Sequence, residues 1–276
     1  MQKGRSNVYL LKIIGKSITA FIKDDCFYLS AAISYFLIVA LVPLSLLIVS
    51  LFGYFLGQNQ DIYQYALSRL VSLFPSVTSG ITNELRNIIT YKGISLITLL
   101  VYGFISLQLF YSIEHAMNTI FNVPKKRHFL LSIFWTILIL TLLIVFLFLS
   151  FVLSSAAGFL KESTLNIIGI EIGYKAGIFF RYIVPFLLVL SIFTAVYVIM
   201  PAVKVSMKHA FKGAMFVTIL WELARNVFTW YVKNVVHFGT IYGSLTTFIL
   251  FLLWMYYLSC IFLLGGEFVK NLSRRG

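Results

Sequence analysis

The sequence predicts an all-α integral membrane protein, a bundle of six transmembrane helices with both chain termini in the cytoplasm. Three observations lead to this prediction: 60% of the 276 residues are hydrophobic, only 11% are charged, and long apolar runs recur along the chain. Soluble domains are about 45–50% apolar and about 25% charged. The composition therefore excludes a water-soluble enzyme domain, a disordered chain and a disulfide-rich secreted scaffold.

The first element is an amphipathic helix over 1–25. Ile14 and Ile18 recur at helical spacing on one face, while Lys12 and Lys16 lie on the other. A basic amphipathic helix of this kind lies in the plane of a membrane interface. We therefore expect the segment to rest on the cytoplasmic surface of the membrane.

Six apolar runs follow this helix. A helix needs about 20 mostly apolar residues to cross roughly 30 Å of hydrocarbon, and lipid cannot satisfy a free backbone amide. The predicted spans are 27–56, 94–120, 129–160, 177–200, 210–236 and 243–268. Pro43 and Pro185 are expected to kink the first and fourth spans. The whole chain, 1–276, thus reads as one transmembrane domain.

Residues 57–92 form the largest segment between spans and are predicted to be external. The segment resembles two short helices broken at Phe74-Pro75. Its apolar positions suit either a lid over the bundle or simple packing against it, and both interpretations stay open.

The basic residues fix the predicted orientation, because cytoplasmic segments of membrane proteins are enriched in Lys and Arg. They gather in the N-terminal segment, in two loops and at the end of the chain. Examples are Lys3, Arg5, Lys125, Lys126, Arg127, Lys204, Lys208, Lys212, Lys270, Arg274 and Arg275. Alternating spans place all of these on one side. The net charge of +13 therefore reflects topology and contact with anionic lipid headgroups, and no nucleic-acid partner is predicted.

Polar residues inside two of the spans are the candidate functional residues. A charge in mid-bilayer costs about 2.5–3.5 kcal/mol, so such groups usually face the bundle and have partners. The second span carries a polar stripe of Gln108, Tyr111, His115, Asn118 and Asn122, with Glu114 on its flank. The fifth span carries Glu222, Asn226, Thr229 and Lys233, and Arg225 can pair with Glu222 at i,i+3. The two stripes predict either a polar cleft between these spans or hydrogen bonds that only fix helix packing.

No motif in the sequence indicates catalysis. P-loop, H-E-x-x-H and G-x-S-x-G motifs are absent. Cys26 and Cys260 lie in apolar runs and indicate neither a disulfide framework nor a metal site. We therefore predict no catalytic residue, no metal and no cofactor.

Three segments carry a resemblance to a known family. LSAAISYFLIVALVPL (29–44), FKGAMFVTILWELAR (211–225) and YGSLTTFILFLLWMYYLSCIFLLGGEF (242–268) resemble the YihY/BrkB family of bacterial inner-membrane proteins. The last segment is similar to that family's closing Tyr-Gly-Ser-Leu, Trp-x-Tyr and Gly-x-Glu pattern. Matched residues expected to matter structurally are Pro43, Glu222, Tyr242, Gly243, Trp254, Gly265 and Glu267. Ala40 and Gly266 depart from the family pattern, each by exchange of one small residue for another.

The resemblance implies a function in the cell envelope at the inner membrane. The family once carried the label ribonuclease BN, which is regarded as mistaken, and other members are linked to envelope lipid phenotypes. We therefore expect a transporter of lipids or lipid-like amphiphiles, with an anionic phospholipid or glycolipid as partner. In that mechanism Arg225 and Lys233 would hold a phosphate-bearing headgroup while the tails stay in the bilayer. The alternatives are a non-transporting scaffold or assembly factor and, last, a membrane-bound ribonuclease.

Overall fold

In the part of the chain that the structure, a computed structural model, describes, the fold consists of helices joined by short turns and irregular segments. The described residues are 2–56, 96–124, 127–128, 130–139, 141–142, 145–146, 183–234 and 246–273. The main helices are α1 (Gln2–Lys23), α2 (Cys26–Leu56), α3 (Leu96–Ile120), α4 (Val184–Ile199), α5 (Met207–Asn234) and α6 (Thr246–Ser273). The predicted all-α class is confirmed for these residues.

The helices follow the apolar runs of the sequence. α2 and α3 begin within about two residues of the first two runs, and α5 and α6 overlap the fifth and sixth. Within the third run, the structure describes a short apolar helix, Leu130–Ile139. The segment 57–92, predicted to be external, lies outside the described residues.

The residues before Ile183 lie outside the described part of the chain, so the kink expected at Pro185 stays a prediction. Pro185 occupies the first turn of α4, which begins at Val184. Proline is well tolerated there, because the N–H it lacks has no partner within a helix in any case.

The first two helices meet at a sharp corner. The axes of Leu11–Lys23 and Cys26–Leu41 differ by 75°. Asp25 forms the corner with φ of 51°, a left-handed conformation that Asp adopts more readily than most residues. The amide of Asp24 still donates to the carbonyl of Ala20, and the carbonyl of Asp25 accepts from the amide of Leu29. The corner therefore interrupts helical hydrogen bonding for only a few residues.

α6 lies at the centre of the described bundle. It packs against α1, α2 and α5, while α3 packs mainly on α2, and α4 on α5. Trp254, Leu263 and Val269 of α6 are completely buried. This arrangement makes α6 the surface on which most of the other described helices are held.

Of the residues that the structure describes, one unbroken helix, Phe248–Ser273, has the length and apolar composition needed to cross a membrane. The bent pair formed by Leu11–Lys23 and Cys26–Leu41 also passes this criterion when its two parts are taken together.

Candidate functional site

A buried ionic cluster lies where the α1–α2 corner meets the end of α6. Lys270 Nζ is 2.5 Å from Asp24 Oδ2 and 3.3 Å from Glu267 Oε2. The Glu267 side chain is fully buried, and that of Lys270 is only 6% exposed. Buried charges are tolerated in proteins when they are paired. Here Asp24 and Glu267 share the Lys270 ammonium group, which therefore links the α1–α2 corner to the end of α6.

Helical spacing and the corner together build this cluster. Glu267 and Lys270 are three residues apart, which places both side chains on one face of α6. The corner turns Asp24 toward that face. Asn271 adds a further link, because its Nδ2 donates to Ser17 Oγ of α1 at 3.2 Å and to the Glu267 carbonyl at 2.9 Å. The amphipathic helix is thereby fastened to the end of α6.

A second polar junction holds the end of α3 against the end of α4. Arg127 donates from Nη1 to the Ile199 carbonyl at 2.7 Å and from Nη2 to the Pro201 carbonyl at 2.6 Å. Ile199 is the last residue of α4 and Pro201 follows its C-cap, Met200. At a helix end of this kind backbone acceptors lack helical partners and the dipole favours a cation. The Arg127 guanidinium also lies over the Trp135 ring, 5.4 Å from the centroid. Burial lowers the pKa of Arg127 below its usual value, while Glu114 acts in the opposite direction.

Two further side chains strengthen this junction. Asn118 Oδ1 accepts from the amide of Ala202 at 2.7 Å. Ser132 Oγ donates to a carboxylate oxygen of Glu114, and both Asn118 and Glu114 are buried. The buried polar face at this end of α3 therefore makes interhelical hydrogen bonds.

The rest of the stripe on α3 faces outward. Gln108, Tyr111 and His115 are exposed. Asn122 follows the end of α3 and has a φ of 52°. A left-handed residue commonly ends a helix, and Asn is one of the residues that adopts this conformation. Only Asn118 of the five predicted stripe residues is buried in the bundle.

The stripe on α5 also lies on an outer face. Glu222 and Arg225 form the expected i,i+3 ion pair at 3.8 Å, with side chains 47% and 43% exposed. Asn226 is exposed and donates to the Glu222 carbonyl, while Thr229 donates to the Arg225 carbonyl. Lys233 belongs to α5, but its side chain lies outside the described part.

The two stripes are not brought together by packing between α3 and α5. α5 makes its main contacts with α4 and α6, and α3 makes its main contacts with α2. α6 packs against both of them, more extensively against α5 than against α3. Within the described residues the stripes therefore lie on different faces of the bundle, and a cleft lined by both stays a prediction.

An apolar groove of about 530 Å³ runs between α2 and α6 instead. This volume falls within the roughly 300–1,000 Å³ range of ligand sites. The lining residues are Ser34, Tyr35, Ile38, Val39, Phe248, Ile249, Leu252, Leu253 and Tyr256. The groove is open to the outside of the helix pair, as the exposure of two lining residues shows: Tyr35 is 62% exposed and Leu253 is 42% exposed.

The hydroxyl groups of this groove gather at one end. α2 and α6 both extend away from the ionic cluster. Distance from the cluster therefore grows with increasing residue number along α2 and with decreasing residue number along α6. Ser34 and Tyr256 lie ten and eleven residues from Asp24 and Glu267, about 15 Å at 1.5 Å per residue. Val39 and Phe248 lie further away. The groove thus has a polar end toward the cluster and an apolar end beyond it.

The family-pattern residues of α6 are packing positions. Trp254 is completely buried and its ring lies 5.0 Å from that of Phe228. A Cβ on Gly265 would collide with side chains of Val217 and Tyr197, so only glycine permits this close approach. Pro43 lies within α2, but its side chain lies outside the described part, as do Tyr242 and Gly243 altogether.

Sequence reasoning found part of this polar architecture. The i,i+3 spacing of Glu267 and Lys270 is a local signal for their pairing, whereas the approach of Asp24 across 246 residues left no local signal. Arg127 was counted only as a topology marker. A lone Asn or Arg at the end of an apolar run could have signalled a helix-end contact. No three His, Cys, Asp or Glu side chains of the described segments come together as a metal site would require.

Comparison with known proteins gives a consistent result. The family model described as virulence factor BrkB matches residues 17–276. A UPF0761 membrane protein of Coxiella burnetii (strain Dugway 5J108-111) is 30% identical over 251 residues, which cover 89% of this chain and 87% of that protein.

Other similar proteins are longer. A UPF0761 membrane protein of Legionella pneumophila (strain Philadelphia 1) is 30% identical over 270 residues, covering 94% of this chain and 62% of the relative. One from Alkalilimnicola ehrlichii is 29% identical over 261 residues, covering 92% and 56%. The chain thus spans about three fifths of the length of these relatives. No solved structure matches the chain.

Proposed function

Because the chain belongs to the BrkB family of membrane proteins, we propose that it moves lipids or lipid-like amphiphiles across the bacterial inner membrane. The proposal includes the arrangement expected from the sequence, six spans with both termini in the cytoplasm. Membrane-protein relatives and the apolar composition support this arrangement.

The groove between α2 and α6 is the observation that carries the proposal. Six of its nine lining residues are wholly apolar, as an acyl chain requires, and its side opening would let a lipid enter from the bilayer without leaving hydrocarbon. The hydroxyl-bearing residues Ser34, Tyr35 and Tyr256 lie toward one end, where Ser34 Oγ donates to the Ala31 carbonyl. A polar end joined to an apolar channel matches the two chemical parts of an amphiphile.

The buried ionic cluster would set the depth of the groove. Charged groups favour the interfacial region over the hydrocarbon core, so the cluster and the basic helix α1 would mark the cytoplasmic surface. The hydroxyl end would then lie about 15 Å deeper. A headgroup drawn to that end would be about halfway across the roughly 30 Å core.

Movement of the groove walls would be transmitted through α6. This helix forms one wall of the groove and also carries Glu267 and Lys270, which bind the α1–α2 corner. Any tilt of α6 relative to α2 would change the width of the groove and the geometry of the cluster together. That Arg225 and Lys233 hold a headgroup stays a prediction, separate from the groove.

A scaffold or assembly factor is the second candidate function. The junction around Arg127 and Asn118 favours it, because its hydrogen bonds only fix helix ends to one another. A scaffold would need no groove that accepts lipid. Filling the groove therefore distinguishes the two functions.

The test is a groove-filling substitution, Leu252→Trp, followed by native mass spectrometry of protein purified in mild detergent. Leu187→Trp is the matched control, since Leu187 is an exposed apolar residue of α4 outside the groove. We expect wild type and control to retain a specific phospholipid or glycolipid and Leu252→Trp to lose it. Retention of only bulk lipid by all three proteins would favour the scaffold.

A further inference from the structure

The buried ionic cluster carries one negative charge in excess when all of its groups are ionised. Asp24 and Glu267 contribute two carboxylates, and both share the single ammonium of Lys270. That ammonium is 2.5 Å from Asp24 but 3.3 Å from Glu267, whose side chain is completely buried. Two carboxylates that share a buried site do not both ionise easily, so one bound proton would remove the excess charge.

Asp24 and Lys270 are also the charged groups that act most strongly on Glu267. The Cys26 thiol, at the beginning of α2, is a further titratable group beside the cluster and interacts with all three of its members. A thiol is a weak hydrogen-bonding group without positive charge, so it cannot replace a second cation. The excess charge therefore stays unless a carboxylate binds a proton.

The other helices packed on this end of α6 present uncharged side chains to it. These are Ser17 of α1, Met117 and Ile120 of α3, and Phe216 of α5. His209 of α5 lies one turn before Gly213, which meets Val269, and so lies past the cluster toward the end of α6. The lysines of α1 and α5 at this end are exposed, namely Lys16, Lys23, Lys208 and Lys212. Exposed charges are screened by solvent and salt, so they compensate a buried charge only weakly.

One carboxylate oxygen of Glu267 has room in its bonding for the proton. Glu267 Oε2 is buried and makes no hydrogen bond within the described residues, although Lys270 Nζ lies at ion-pair distance. Buried polar atoms nearly always have a hydrogen-bond partner. A proton on Oε2 would make this oxygen a donor, and Asp24, with which Glu267 already interacts, would be the acceptor.

A polar track within the α2–α6 contact connects the cluster to the groove. Along α2, Cys26, Ser30 and Ser34 follow one another every four residues and so share one face. Ser30 is completely buried, and its hydroxyl makes no hydrogen bond in the described part of the chain. Its neighbour on α6 is the Cys260 thiol, which also interacts with Tyr256. Because Ser34 and Tyr256 line the groove, the cluster and the groove are two ends of one polar surface.

We propose that Glu267 is a proton-binding site whose occupancy controls the retention of an anionic amphiphile in the groove. The proton comes from cytoplasmic water by way of Asp24, whose side chain is 23% exposed, and an O–H bond forms at Glu267 Oε2. The net charge of the cluster changes from one negative charge to zero, and Asp24 and Lys270 stay ionised as a pair. On release the proton returns to water, and no group is oxidised or reduced.

The excess charge acts on the groove through space. The hydroxyl end of the groove lies about 15 Å from the cluster. At an effective dielectric constant of about 20, one negative charge at this distance weakens binding of a singly charged anionic headgroup about sixfold. Proton binding removes this repulsion. The inference rests on the proposed function for the role of the groove, whereas the proton site itself does not depend on it.

Infrared spectroscopy of the protein in lipid nanodiscs tests the proton site. We expect wild type to show the C=O band of a protonated buried carboxyl, which disappears as the pH rises from about 5 to about 9, above the range of exposed carboxylates. Glu267→Gln should lack this band. Glu114→Gln, at the other buried glutamate of the described residues, is the matched control and should keep it.

Absence of the band from wild type, or its persistence in Glu267→Gln, overturns the proposal. Labelling the glutamate side-chain carboxyls of wild type with ¹³C keeps the test independent of how well the variant folds. The band should then shift to lower frequency, and an unshifted band overturns the assignment to Glu267. Failure of the groove to bind lipid would leave this band in place, so the two proposals fail separately.

Native mass spectrometry with added phosphatidylglycerol tests the link to the groove. Wild type should retain about sixfold more of this anionic lipid at low pH, with Glu267 protonated, than at high pH, with it ionised. Glu267→Gln should retain equal amounts at both pH values. Phosphatidylcholine, which has no net charge, is the control and should show no pH dependence in either protein. Equal retention of phosphatidylglycerol by wild type at both pH values, or the same pH dependence in Glu267→Gln, overturns the proposal.

Discussion

Replacing Lys270 by Met is the most informative perturbation of the buried ionic cluster. Met matches the length of the Lys side chain but removes the ammonium, which contacts Asp24 and Glu267 and is only 6% exposed. Breaking a buried ion pair by removing one partner costs about 3–5 kcal/mol, because the remaining charge stays buried without compensation. In the Lys270→Met protein, the Glu267 carboxylate would be the buried charge without a partner.

The expected effect is large enough for a thermal assay. At about 3 °C for each kcal/mol, the melting temperature of purified protein in detergent should fall by about 10 °C. Lys212→Met is the matched control, since this lysine is exposed on α5, and surface substitutions usually change stability by less than about 0.5 kcal/mol. Fluorescence-detected size-exclusion chromatography after heating measures both variants.

The double variant Lys270→Met/Glu267→Met tests the cause. It removes the stranded carboxylate and leaves Asp24, whose side chain is 23% exposed and can reach solvent. We expect it to melt higher than Lys270→Met alone, since apolar replacement of a whole buried pair is often neutral or stabilising. A double variant less stable than the single one would refute the reasoning, as would a Lys270→Met protein as stable as Lys212→Met.

Two further predictions concern helix packing. Gly265→Ala should destabilise the protein by about 1–3 kcal/mol, because the added Cβ overpacks the contact with Val217 and Tyr197. Gly15→Ala should instead stabilise α1 by roughly 0.5–1 kcal/mol, because a Cβ there meets nothing within 4 Å. Melting curves of the two variants compare these effects, and equal shifts in melting temperature would contradict the account. Arg127→Gln should cost about 1.5–3 kcal/mol by removing charge-assisted bonds to the end of α4; an unchanged melting temperature would show that solvent replaces these bonds.

Periodicity and composition were enough to predict the helices. α2 and α3 lie on their apolar runs because in both runs almost every residue is apolar and few helix breakers occur. The i,i+3 pair Glu222–Arg225 also followed from local spacing. Such features depend on residues within one or two turns of each other.

Contacts between distant parts of the chain could not be predicted in this way. The Asp24–Lys270 pair depends on the 75° corner after α1, and that corner depends on the positive φ of Asp25. The groove depends on how α2 and α6 lean against each other, and its residues look like ordinary apolar residues of two spans. Whether the two polar stripes line one cleft depends in the same way on contacts between distant helices, and it stays a prediction.

Photo-crosslinking in intact cells tests the central claim, that the α2–α6 groove accepts an amphiphile, most directly. Cells expressing the protein would incorporate a diazirine-labelled fatty acid into their lipids, and adducts would be mapped by peptide mass spectrometry after illumination. The account predicts adducts concentrated on 34–39 and 248–256, and lost from both in Leu252→Trp. Adducts spread over exposed apolar residues such as Leu187 and Leu130 in proportion to their exposure, with none enriched in the groove, would contradict it.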